Sequence, residues 1–328
     1  MTKRRIAITL AGDLWEQTEK YARSLGYQVD RRVIAQGKPE GIVDAVNGYD
    51  AIVAAIDKYT PEVIEKLTTV KILARIGVGY DNINVPAATK KNIAVTITPG
   101  ANAVAVAEMA VSLMLAVCRK VCSLDRSVRV GGGYGGPLKL TSQLYGTKVG
   151  LVGFGNVGKN LVKILRGFDC EVFVSDPYVE QEVFEEYQVK SATIDEICTS
   201  CDFISVHLPY SKETDGIFDA SFFQKMKKTA VFVNTARGPL VKEKDLIAAL
   251  KSGTIAGAGL DVFVNEPLEP GSEFRSLDNV VLTPHYSAMT VQAFNRMGLA
   301  AIDNIHQYFQ GKKPIGIVNP EVYKEDGK

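Results

Sequence analysis

The stretch that decides the fold is TKVGLVGFGNVGKNLVKIL, residues 147–165. It opens with an apolar run, Val149 to Val152, suited to a buried strand, and closes with a helix-like segment, Lys159 to Leu165. Between them Gly153, Gly155 and Gly158 stand in GxGxxG spacing. Alone that spacing is a weak signal; between a strand and a helix it has a mechanism. Gly153 permits the tight turn, Gly155 lets the backbone approach a pyrophosphate, and Gly158 lets the helix pack close to the strand. Beside them, Asn156 and Val157 open the helix, whose first N–H groups point at the phosphates. Asp176 ends the next apolar run, EVFVSD. A carboxylate there accepts from the adenine ribose hydroxyls and repels a 2′-phosphate, so the expected cofactor is NAD rather than NADP. The bland alternative is a glycine turn in some other αβ protein with a solvated Asp.

Downstream, FISVHL, AVFVNTA, AGAGLDVF and VVLTPH continue the series as further strand candidates separated by helical or turn signals, a six-strand doubly wound pattern. Upstream, IAITLA, AIVAA, KILARIG and IAVTITP alternate with helix-like pieces at Trp15 to Leu25, Pro61 to Leu67 and Val85 to Lys91, again βα units on a parallel sheet. Between the two series lies an apolar stretch, Ala103 to Cys118, apolar on nearly all sides and therefore expected to be a helix buried against another domain or subunit. GGGYGGP, residues 131–137, resembles a phosphate loop in composition, but no Lys-Ser or Lys-Thr follows it and no helix opens after it, so a connecting arm is expected. After His285 one more long helix runs to about Gln310 and a polar tail follows.

A chain of 328 residues exceeds the size of one core. The expected division is a discontinuous substrate domain, residues 1–100 with 290–328, and a cofactor domain, residues 101–289. Net charge is +1 with Lys and Arg scattered, which gives no footprint for nucleic acid or an anionic membrane. The basic start MTKRR resembles a signal peptide, yet Gly12 and Asp13 interrupt the apolar run that follows, and Ala103 to Cys118 contains Glu108 and is too short to span a bilayer. A cytoplasmic protein is expected. Five cysteines in a long chain argue against a disulfide framework, and the CxxC of Cys198 and Cys201 lacks the second Cys pair or nearby His of a zinc set. Reduced structural thiols, and no metal, are expected.

The chemistry should come from polar residues at the ends of the later strands. Arg237 follows VFVNTA, Glu266 follows GLDVFVNEP, and His285 ends VVLTPH. Hydride transfer to a keto acid needs a cation to fix the carboxylate and polarise the carbonyl, an acid for the developing alkoxide, and a group to orient that acid. The guanidinium fork suits a carboxylate, His exchanges a proton near neutral pH, and a neighbouring Glu favours its charged form. Singly, each residue reads as a surface charge, a turn or a core histidine; together, in sheet order behind a dinucleotide motif, they read as a site.

With ARIGVGYDNIN, TPGANAVAVAEMAVSLMLA, GLVGFGNVGKNL, SVHLPYSKET, VFVNTARGPLVKEKDLIAAL, AGAGLDVFVNEPL and LDNVVLTPH in this order, the sequence resembles the D-isomer-specific 2-hydroxyacid dehydrogenases. The resemblance covers about residues 50 to 315. It implies two Rossmann-like domains with a cleft between them, and NAD-dependent interconversion of a small 2-keto acid and a D-2-hydroxy acid. It further implies Arg237 as substrate-binding and carbonyl-polarising cation, His285 as general acid or base, and Glu266 as its partner. Backbone N–H groups near Val78 and Gly79 would hold the substrate carboxylate. Asn156, Val157, Asp176, Thr235, Ala236 and Asp261 match cofactor contacts, with Asp261 near the nicotinamide carboxamide. A homodimer joined through the cofactor domain is implied as well.

The sequence also departs from its relatives. Tyr286, Ser287 and Ala288 follow His285 where many carry small residues. Arg75 could meet the phosphate of 3-phosphoglycerate, but Ala54 and Ala55 stand where a further arginine is often found. Glyoxylate, hydroxypyruvate, 3-phosphoglycerate and branched keto acids all stay open, whereas Glu266 argues against formate oxidation. The competing reading is an NAD(H)-sensing interaction protein, corepressor-like, on the same fold; such proteins usually carry long appended tails.

Overall fold

A computed structural model describes residues 3–9, 15–34, 39–132 and 140–322. The chain divides into two compact units, Met1–Asn102 with Met289–Lys328, and Ala103–Ala288.

The first unit carries β1 (Arg5–Ile8), α1 (Glu16–Ser24), β2 (Gln28–Arg31), α2 (Pro39–Val46), β3 (Ala51–Ala54), α3 (Pro61–Lys66), β4 (Ile72–Arg75), α4 (Val85–Lys90) and β5 (Ala94–Thr96). They form a five-stranded sheet in the order β2-β1-β3-β4-β5, parallel throughout. β3 is buried at every position, as a strand covered on both faces must be. The Thr60 and Asn84 side chains cap α3 and α4 by accepting from Val63 N and Ala87 N, which offsets the unpaired N–H groups of these short helices. Two elements had no sequence signal strong enough to be expected. β2 alternates in burial and carries Gln28 and Arg31 at its ends, and α2 spans two turns.

The second unit carries α5 (Ala103–Cys118), α6 (Val121–Arg129), β6 (Lys148–Val152), α7 (Asn156–Leu165), β7 (Glu171–Ser175), α8 (Gln181–Glu186), β8 (Lys190–Ser191), α9 (Ile194–Ser200), β9 (Phe203–Val206), α10 (Ala220–Lys225), β10 (Val231–Asn234), α11 (Glu243–Ser252), β11 (Gly257–Leu260) and β12 (Val280–Leu282). The chain then returns to the first unit with α12 (Val291–Phe309). Its sheet has seven strands rather than the expected six, in the order β12-β11-β10-β9-β6-β7-β8. The extra strand, β8, is two exposed polar residues at the edge and has no hydrophobic pattern to announce it. All pairings are parallel, and the order reverses between β6 and β9.

Both faces of this sheet are covered. Val149, Leu151, Phe203, Val231 and Val233 face Ala110, Leu113 and Met114 of α5 and Leu161 and Leu165 of α7. Ile204, Val206, Phe232 and Leu260 face the layer of α9, α10 and α11. So the apolar helix α5 is buried against the sheet of its own unit. Its all-round apolar character reflects a close approach: a Cβ on Gly259 of β11 would lie 2.7 Å from Leu113 Cβ.

α12 packs on the first sheet and on α1, burying Phe294, Met297, Ala301, Ile302 and Ile305, with the Trp15 ring edge-on to Phe294 at 5.8 Å. The segment after it is not a polar tail up to Val322. Val318 N donates to Val95 O (2.8 Å), and Asn319 Oδ1 accepts from Val95 N (2.7 Å), so it runs along β5. Most of the glycine-rich arm, 133–137, lies outside the described residues. Cys198 and Cys201 are fully buried, and burial pushes their thiols up to about 12 and about 11, so both stay protonated at neutral pH. Among the described residues, no helix is long and apolar enough to cross a membrane.

The contact between β11 and α5 gives a stability prediction. Gly259→Val forces α5 away from the sheet and lowers unfolding free energy by about 1–3 kcal/mol, the usual cost of overpacking, read as a fall in the urea midpoint.

Candidate active site

The glycine turn sits at the carboxyl end of β6, beside the strand-order reversal, where doubly wound sheets take their ligands. Gly153 has φ 99°, and a Cβ there would lie 2.7 Å from the backbone carbon of His207, so the turn is pressed against the end of β9. Likewise a Cβ on Gly158 would lie 2.9 Å from Gly153 O, which is why the helix can lie so near the strand. Gly155, by contrast, has nothing within 4 Å of where its Cβ would be; the turn is open on that side. The N-terminus of α7, begun by exposed Asn156 and half-buried Val157, has no side-chain cap. Its first N–H groups are thus free to meet an anion.

Asp176 follows β7 and is tied to this turn: Oδ2 accepts from Phe154 N (2.8 Å) and Oδ1 from Tyr178 N (3.0 Å). The sequence places Asp176 at a strand end but not in contact with the glycine turn. Thr235 and Ala236 follow β10, the next strand beyond β9. Thr235 is buried and its hydroxyl has no partner, so it is poised to bond an incoming group. An open glycine turn, uncapped helix amides, a neighbouring carboxylate and an unpaired buried hydroxyl form a donor and acceptor set that fits a dinucleotide.

Arg237, Glu266 and His285 leave the carboxyl ends of adjacent strands β10, β11 and β12. His285 Nδ1 and Glu266 Oε2 are 2.7 Å apart, and Glu266 Oε1 accepts from Phe263 N (3.0 Å). Burial pushes the Glu266 carboxyl up, but hydrogen bonds from His285 and Phe263 and the nearby charges of His285 and Arg237 outweigh it and leave the group below its ordinary value. The structure therefore brings all three residues into one electrostatic neighbourhood. Asn234 locks the backbone at Arg237: its Nδ2 donates to Arg237 O (2.8 Å) and its Oδ1 accepts from Ala236 N (2.9 Å). Next to it, a Cβ on Gly238 would fall 2.0 Å from the Phe263 carbonyl carbon, so the loops bearing Arg237 and Glu266 touch through backbone.

Asp261 is placed differently from the other expected cofactor contacts. It is fully buried, and its carboxylate accepts from Thr283 Oγ1 (2.6 Å), Tyr286 N (2.7 Å), Ser287 N (2.9 Å) and Ser287 Oγ. Its main chain also takes part, since His285 N donates to Asp261 O (2.7 Å). Every one of these partners lies within the chain and frames His285. Sequence reading missed Asn234, Thr283 and Ser287 as supports; a polar residue buried at the end of an apolar strand was the available signal.

Val78 and Gly79 lie in the first unit, just past β4. Val78 is exposed, and the loop is anchored by Thr98, whose hydroxyl accepts from Gly77 N (2.7 Å) while Thr98 N donates to Gly77 O (2.9 Å).

The chain is similar to several known proteins. The family model described as "D-isomer specific 2-hydroxyacid dehydrogenase, NAD binding domain" matches residues 111–287. A glyoxylate reductase from Thermofilum pendens is 38% identical over 292 residues, covering 87% of this chain and 86% of that protein. A D-3-phosphoglycerate dehydrogenase from Archaeoglobus fulgidus is 36% identical over 97% of this chain, which spans 60% of that protein's length. The crystal structure of a glyoxylate reductase from Paecilomyes thermophila superposes with TM-score 0.83 at 28% identity, covering 98% of this chain and 100% of that one. This chain therefore belongs to the D-isomer specific 2-hydroxyacid dehydrogenases, enzymes that interconvert 2-keto acids and D-2-hydroxy acids with a nicotinamide dinucleotide.

Proposed function

We propose that Arg237, Glu266 and His285 are the catalytic residues and that the substrate is a small 2-keto acid. The observation that carries this reading is the 2.7 Å contact between His285 Nδ1 and Glu266 Oε2, formed beside Arg237 at the carboxyl edge of the cofactor-binding sheet. Glu266, held ionised by its own hydrogen bonds, accepts from Nδ1 and leaves Nε2 of His285 to present the proton. In the reductive direction Arg237 grips the acid and polarises its carbonyl. A nicotinamide dinucleotide held by the glycine turn and Thr235 would supply the hydride for the carbonyl carbon. His285 Nε2 gives its proton to the carbonyl oxygen, and in the reverse direction takes it back. The N–H groups of Val78 and Gly79 hold the substrate carboxylate. Asp261 acts through the backbone it fixes, keeping His285 in register.

Gly153, Gly155, Asn156, Val157 and Gly158 would hold the pyrophosphate, Asp176 the adenine ribose, and Thr235 and Ala236 the nicotinamide side. Asp176 also sets a preference for NAD over NADP, because a 2′-phosphate would approach a carboxylate already fixed to Phe154 N. The assembly is a homodimer. α6 supports this: none of its residues is buried, and Val121, Leu124 and Val128 recur at helical spacing while 53%, 55% and 68% exposed.

Three measurements test these assignments. In stopped-flow or steady-state assays of NADH consumption with glyoxylate, His285→Ala lowers turnover by ~10²–10⁴, the worth of a positioned acid, while NADH still quenches or enhances fluorescence as in the wild type; unchanged turnover removes the role. Fluorescence titration should give a tighter Kd for NADH than for NADPH, and Asp176→Ser should narrow that gap. Sedimentation of Leu124→Glu/Val128→Glu should show a monomer where the unaltered chain gives a dimer.

A further inference from the structure

Glu266 stands on a loop, so something other than a strand or helix ladder must hold its carboxylate 2.7 Å from His285. Between β11 and β12 the chain runs from Asp261 to Asn279 with one short 3-10 turn, Glu273–Ser276, and Glu266 lies before that turn. Two charged side chains fasten the backbone on either side of it. Arg275 donates from Nε to Glu269 O (2.9 Å) and from Nη2 to Leu268 O (2.7 Å), which ties down the segment after Glu266. Glu243 ties down the segment before it: its Oε1 accepts from Val264 N (2.9 Å).

Glu243 is the first residue of α11, and the stretch that leads to it from Arg237 is itself pinned. Gly216 N donates to Pro239 O (2.9 Å), Phe218 N to Leu240 O (3.1 Å) and Lys242 N to Phe218 O (3.0 Å), while Leu240 and Val241 are buried. This stretch meets the Glu266 loop twice. At Gly238 a Cβ would lie 2.4 Å from Val264 N, and at Glu243 the side chain takes the hydrogen of that same amide. Asn234 fixes the other end, at Arg237. One rigid span, residues 237–243, thus carries the guanidinium at its start and a grip on the Glu266 loop at its end.

A carboxylate in the first turn of a helix ordinarily favours the amides and dipole of its own helix. Here an oxygen of Glu243 goes to an amide outside the helix, in a charge-assisted bond of the stronger kind. The core does not need that bond. Residues Val264 to Pro267 are exposed, so water can take the Val264 amide when the carboxylate is removed. What the bond adds is placement of the Phe263–Glu266 turn, in which Phe263 N donates to Glu266 Oε1 (3.0 Å).

We propose that Glu243 is a positioning residue: by holding Val264 N it sets the Phe263–Glu266 turn, and with it the reach of Glu266 Oε2 to His285 Nδ1. This rests on the roles given above to Glu266 and His285.

The test is a double-mutant cycle in glyoxylate reduction, with kcat, KM and the NADH Kd measured for Glu243→Ala, Glu266→Ala and the pair. Glu243→Ala should lower kcat by ~10–10²-fold, the cost of a displaced catalytic group, and leave the NADH Kd as in the wild type. Glu243→Gln keeps an acceptor oxygen for Val264 N and should recover most of the loss. In the Glu266→Ala background, removing Glu243 should cost no further kcat, because its effect passes through a carboxylate no longer there. Losses that multiply, or a Glu243→Ala enzyme that turns over like the wild type while Glu266→Ala does not, overturn the assignment of Glu243 and leave Glu266 in its role. Loss of NADH binding in Glu243→Ala marks a merely structural part and overturns it equally. A Glu266→Ala enzyme with unchanged kcat overturns the proposed function and this inference with it.

Discussion

A buried carboxylate that touches no solvent organises the acid end of the site. Asp261 takes four donors, two from backbone and two from hydroxyls, while its own carbonyl accepts from His285 N. The segment it grips holds His285 at φ 53°, a left-handed conformation uncommon for a non-glycine residue. Such a backbone persists only where its surroundings over-determine it. A buried acceptor with every lone pair engaged supplies that constraint, because releasing any one donor would leave an unpaired polar group inside the protein. Glu266 then needs only to meet a ring whose position is already fixed.

The same economy governs the cofactor side. Phe154 N, in the middle of the glycine turn, donates to Asp176, so the carboxylate expected to read the ribose also fixes the turn expected to hold the phosphates. The turn itself is packed against the backbone at half-buried His207, whose imidazole is pushed down to about 4 by desolvation and is therefore neutral at working pH. A neutral neighbour adds no charge to compete with the helix amides for an anion. Both sheets place their polar residues at carboxyl ends for one reason: the strands of a parallel sheet point the same way, and their following loops gather at a single edge.

Much of this was legible in the residues themselves. Continuous apolar runs such as FISV and VFVN announce strands buried on both faces, and GFGNVG between a strand and a helix announces a phosphate-binding turn. β8 and β2 were not legible because their edge residues are polar and exposed, and pairing alone makes them strands. The last segment reads as a tail because Asn319 looks like a surface residue, yet its amide bridges Val95 N, Ile93 O and the Thr89 hydroxyl.

The sequence by itself determined the architecture and the chemical class of the site. Periodicity and the strand–glycine–helix order depend on local geometry, and local geometry is written in consecutive residues. The tertiary structure decided which side chains meet. That Glu266 reaches His285, and that Asp261 is spent on backbone and hydroxyl donors, are contacts between distant segments. Distances of that kind are set by how strands order themselves in a sheet, and no run of neighbouring residues encodes them.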